Sequence, residues 1–159
     1  VAESKTTRAV MIRPRGGNFV YNSHELKIIE TDTLKAVESG AQNIVFGALT
    51  TDNKIDSDAL ETVSIAAQGL PITFHMAFDE ITDQKESNDQ HVEFRIDKIF
   101  MHGGPLDQPL DTDKIKSLID YAQGKINIII GGGVNAENFE ELAQLTGTNY
   151  VHGTKIINL

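Results

Sequence analysis

The sequence predicts an α/β chain of parallel βα units, an incomplete (β/α)8 barrel, and three observations predict it. Six short apolar runs are each separated from the next by a helix-sized segment, the pattern of parallel strands joined by right-handed crossovers. The run Pro71-Ile-Thr-Phe-His-Met-Ala-Phe-Asp79 alternates apolar Ile72, Phe74, Met76 and Phe78 with Thr73, His75, Ala77 and Asp79, which suits a strand packed on both faces. The runs also end in Arg, His or Gly, and barrels collect their chemistry at the carboxyl ends of the strands. An open doubly wound sheet would share the element order, but inward polar faces and glycine-ended strands favour the barrel. A full barrel takes about 250 residues, so a chain of 159 is short by two units.

The elements follow in order. Val1 to Arg8 is polar, and Ala9 to Arg15 reads as a strand entering a Gly16-Gly17 turn. A helix begins at Ser23, with Leu26, Ile29, Leu34 and Val37 as its stripe and Gly40 as its stop. Asn43 to Leu49 is the second strand. Asp56 or Ser57 caps the next helix, which buries Leu60, Val63 and Ala67 and closes at Gly69. After the Pro71 strand, Glu80 to Arg95 occupies the place of a helix with only Ile81, Val92 and Phe94 as anchors. Asp97 to Gly103 is a strand, followed by a helix with Ile115, Leu118, Ile119 and Ala122, ended by Gly124. Lys125 to Ile130 is a strand delivered into Gly131-Gly-Gly133, with Asn135 as a helix cap and Phe139, Leu142 and Leu145 as the buried stripe. Asn149 to Gly153 is the last strand.

Composition narrows the function classes. A hydrophobic content of 40% fits one globular domain spanning 1–159. With 14 basic and 23 acidic residues the net charge is -9, which argues against nucleic-acid and anionic-membrane partners and makes any anion site local. No cysteine is present, so disulfides and thiolate metal sites are excluded. No apolar run is long enough to span a bilayer and no signal-peptide pattern opens the chain, so a cytoplasmic protein is expected. The start at Val1 without an initiator methionine points to a fragment.

Candidate site residues stand at the carboxyl ends of the strands. Arg13 and Arg15 carry forked donors suited to a carboxylate or phosphate, or neutralise Asp79 in an internal ion pair. Gly131, Gly132 and Gly133 form an anion cradle before a helix, or only a tight turn. His75, Asp79, His102 and His152 form a metal or polar site; each histidine alone is better explained by a structural hydrogen bond, but three at equivalent strand ends point to a site. By strand parity His75, Asp79, Arg13, Arg15, His102 and His152 all turn inward to one mouth, and Met76 turns outward. Asp79 is then expected to pair with Arg13, Arg15 or a protonated histidine. No catalytic residue is assigned, because nothing in the sequence names a reaction.

Met-Ile-Arg-Pro-Arg-Gly-Gly from Met11, Thr-Phe-His-Met-Ala-Phe-Asp from Thr73, His102-Gly103, Gly-Gly-Gly-Val from Gly131 and His152-Gly153 together resemble the CutC family of copper-homeostasis proteins. The resemblance implies a TIM-type barrel lacking its first two strands, a cytoplasmic setting, a homo-oligomer, and copper as the bound or handled ion. The sequence departs from the family pattern at Met76, where Arg is frequent, and at Asn88, His91 and Arg95, where an apolar helix face and a Gly are expected. Cu(I) prefers thiolate and thioether ligands, so a chain without cysteine is expected to bind copper weakly. A metal-handling protein is therefore the first expectation. The alternatives are an enzyme on a small anionic or phosphorylated metabolite, and an oligomeric scaffold without a ligand.

Overall fold

The computed structural model describes residues 7–94 and 96–156. Six strands, β1 (Ala9–Met11), β2 (Asn43–Phe46), β3 (Ile72–Phe74), β4 (Ile96–Met101), β5 (Asn127–Gly131) and β6 (Tyr150–His152), alternate with helices α1 (Ser23–Glu38), α2 (Ser57–Ala66), α3 (Gln84–Glu93), α4 (Thr112–Ala122) and α5 (Phe139–Thr146). All pairings are parallel and the sheet runs β1 to β6 in sequence order. The two end strands do not pair with each other among the described residues, so the sheet is a half-barrel with an open inner face. No described helix is long and apolar enough to cross a membrane.

Strand alternation sorts the two faces. Ile12, Ile44, Phe46, Ile72, Phe74, Ile99, Met101, Ile128 and Ile130 are buried in the core. Met11, Val45, Thr73, Lys98, Phe100, Ile129 and His152 line the opposite, concave face, around a cavity of about 540 Å³. A register shift between Ile72 and Thr73 sets Thr73 opposite Lys98 and leaves Asp97 unpaired, which brings Lys98 to the inner face.

The helices start where short polar side chains can bind orphan N–H groups. Asn22 and Glu25 form a reciprocal capping box on α1, Asp56 caps α2 and Asp111 caps α4. Two expectations for α5 are corrected. Its N-cap is Asn138, and Asn135 instead accepts the Glu137 N–H in the preceding turn. Counting from Phe139 at 3.6 residues per turn, position 146 returns to the core side and 145 does not, so Thr146 is buried and Leu145 is 53% exposed. The polar segment after β3 does form α3, with Ser87 and Asn88 buried on it. The expected anchor Val92, together with His91 and Arg95, lies outside the described side chains, as do Val1 to Thr6.

The largest correction concerns the Pro71–Asp79 run. Only Ile72–Phe74 is strand, and Met76–Glu80 is a 3₁₀ helix. His75 causes the break: its Nδ1 accepts the Ala77 N–H at 3.1 Å while its carbonyl accepts from Phe78, a local closure that competes with the ladder. Strand parity therefore stops at His75.

Candidate functional site at the strand ends

At the end of β1 the two arginines part. The Arg15 Nε donates to Glu25 at 2.5 Å, and its remaining donors reach Gly16 O, Asn18 O and Oδ1, and Val20 O, so Arg15 ties its own loop to α1. The ion pair raises the Arg15 pKa and holds Glu25 below the usual carboxylate range. Arg13 donates to Gly17 O at 2.7 Å and lies 4.6 Å from the centre of the Phe19 ring.

Phe19 in turn touches His75, with ring centres 5.0 Å apart. The imidazole is 4% exposed and fills space above Gly47, where a Cβ would fall 2.6 Å from ring atoms. Because Ala77 N–H can only donate, Nδ1 is the acceptor, and the proton of the neutral ring sits on Nε2, which has no partner among the described residues. Burial, reinforced by the Arg13 charge, lowers the His75 pKa to about 4.

Among the described residues Asp79 pairs with neither arginine nor a histidine ring. Its Oδ2 accepts the His102 N–H and its Oδ1 the Gly103 N–H, both at 2.8 Å. Burial pushes its pKa up, opposed by those two hydrogen bonds. The His102 ring is wedged between strands: Nδ1 lies 3.0 Å from Gly131 O and Nε2 3.0 Å from Gln108 O. Gly132 must be glycine, since φ is 85° and a Cβ would sit 2.7 Å from His102 Nδ1. Asp79, His102 and the Gly131–Gly133 turn thus form one connected unit.

His152 follows the parity expectation and faces inward, its ring centre 4.9 Å from that of Phe100. Met76 does not turn outward. It lines a cavity of about 430 Å³ at the rim with Phe100, Gly132, Gly133, His152 and Lys155. The six polar side chains therefore divide: Arg13 and His75 lie at the β1–β3 side, His102 and Asp79 are tied to main chain, His152 lines the rim cavity, and Arg15 belongs to its loop. Lys98 was open to a parity count on its strand, whereas Phe19, Tyr21 and Lys155 lie in segments without periodicity and carried no signal.

Among the described residues a resident copper ion finds no cluster of three His, Asp or Glu ligands, and the chain has no cysteine. In the rim, the thioether of Met76 lines the same cavity as His152. Both His102 nitrogens face main-chain carbonyl oxygens at 3.0 Å, and both Asp79 oxygens accept main-chain N–H groups.

Fold and rim together define a parallel α/β half-barrel of TIM-like type with a polar site at its strand ends. The CutC family profile matches residues 1–157. A CutC family protein of Streptococcus pyogenes serotype M6 is 52% identical over 159 residues, covering 98% of this chain and 76% of that protein. A crystal structure of CutC from Streptococcus agalactiae, whose name refers to copper homeostasis, is 49% identical with a TM-score of 0.92, covering 95% of this chain and 74% of the other. An aldolase, 16% identical with a TM-score of 0.71 over 94% of this chain and 69% of its own, shares the fold alone. The chain belongs to the CutC family.

Proposed function

We propose that this chain serves copper homeostasis in the cytoplasm by binding a small anionic ligand at the strand-end rim, as a homo-oligomer and without a tightly held copper ion. The supporting observation is the rim cavity of about 430 Å³, where Lys155 and His152 flank the glycine turn at Gly132 and Gly133. In a protein of net charge -9 the local positive charge of Lys155 is what draws an anion. Gly133 has nothing within 4 Å of where a Cβ would stand, so its main chain is open to a ligand, and φ values of 85° and 83° reserve both positions for glycine. No reaction belongs to the proposal.

Calorimetric titration of the whole chain with inorganic phosphate tests it. Saturable binding that weakens about tenfold in Lys155→Ala, the size of one lost charge-assisted hydrogen bond, supports the reading. Heat no greater than dilution contradicts it.

A further inference from the structure

We infer that Arg13, Tyr21 and His75 form a second site, for a carboxylate, at the ends of β1 to β3. Two buried polar atoms there have no partner at full hydrogen-bonding distance among the described residues: Tyr21 Oη, on a residue 7% exposed with the Arg13 charge beside it, and His75 Nε2, on a residue 4% exposed. Buried polar groups are nearly always satisfied, so such a pair beside one guanidinium calls for an acceptor that the described residues do not supply. Arg13 acts electrostatically on both residues. It donates to Gly17 O and also lies in side-chain hydrogen-bonding reach of the Tyr21 hydroxyl, which leaves further donors of its exposed guanidinium for a ligand. The rest of the wall is fixed: Tyr21 stacks on Phe46 at 6.3 Å, and the Phe46 carbonyl accepts the His75 N–H.

The chemistry selects a monoanion. The Ala77 N–H holds the proton of neutral His75 on Nε2, and burial keeps both the imidazole and the phenol uncharged near neutral pH. The site then offers one positive charge and two neutral donors, which match the single charge of a carboxylate. The second charge of a phosphate dianion would be buried without compensation. Phe19, lying between the Arg13 guanidinium and the His75 ring, is the group displaced on entry.

The site goes beyond the rim proposed above and shares none of its residues. The test is titration of the whole chain with acetate and glycolate, with inorganic phosphate in parallel, followed by the amide shift of Ala77, whose N–H is bonded to the ring. Saturable carboxylate binding should weaken at least tenfold in Tyr21→Phe and in Arg13→Gln. Tyr21→Phe should melt no lower than the parent, because it deletes a hydroxyl without a full hydrogen bond among the described residues, and it decides the matter if Arg13→Gln does not fold. Absence of carboxylate binding, or binding unchanged in Tyr21→Phe, overturns the inference. Carboxylate binding lost in Lys155→Ala but kept in Tyr21→Phe overturns it while upholding the rim, and silence with every anion overturns both.

Discussion

The Asp79 carboxylate accepts the main-chain N–H of His102 at 2.8 Å, and with its other oxygen that of Gly103. One side chain thereby fastens the 3₁₀ helix after β3 to the end of β4, and through the His102 ring to the Gly131 turn. Asp79→Ala should strip two part-buried donors of their acceptor and cost about 2–4 kcal/mol, while Asp79→Asn, which keeps one acceptor, should cost less. Because burial raises this pKa, the carboxyl favours folding fully below 3.8, and that contribution is lost as pH rises through the folded value. Urea denaturation at pH 7 checks the ranking, and an Asp79→Ala protein as stable as the parent would refute the fastening role.

His75 makes stability pH-dependent in the opposite sense. Its pKa falls from 6.5 to about 4 on folding, so the unfolded chain binds the extra proton first as pH drops. The stability it contributes is present above pH 6.5 and lost progressively down to about pH 4, roughly 3 kcal/mol in all. His75→Gln should flatten this slope between pH 6.5 and 4. Parallel slopes for the two proteins in pH-dependent urea melts would count against a buried neutral imidazole.

Asn88 is 1% exposed, and neither its amide nitrogen nor its oxygen finds a partner among the described residues. An apolar side chain of similar volume removes that penalty. Asn88→Leu should raise the melting temperature by a few degrees, as about 1–2 kcal/mol does for a domain of this size. A lower melting temperature in a calorimetric scan would mean that the amide is satisfied in solution.

The sequence made the repeated elements legible because their signals are periodic. Ile72 and Phe74 face the core, and Val10 and Ile12 lie opposite Met11, as alternation requires. The Asp56 cap was legible for a similar reason, since short polar side chains serve helix starts. The site was less so, because its residues lie past the last strand hydrogen bond, where no period constrains them. The turn at His75 depends on one ring-to-amide bond, and Arg15 meets Glu25 across ten residues of loop and helix. Tyr21 became a candidate only once its hydroxyl proved buried without a full hydrogen bond among the described residues.

The measurement that tests the account most directly is copper and phosphate binding on one preparation of the chain. Competition with a Cu(I) chelator measures the metal, and calorimetry measures the anion. The account predicts that the chelator keeps the copper, because the His102 nitrogens face main-chain carbonyls, the Asp79 oxygens accept main-chain N–H groups and cysteine is absent, while phosphate binds saturably. Stoichiometric Cu(I) taken from the chelator, with no heat from phosphate, would contradict it.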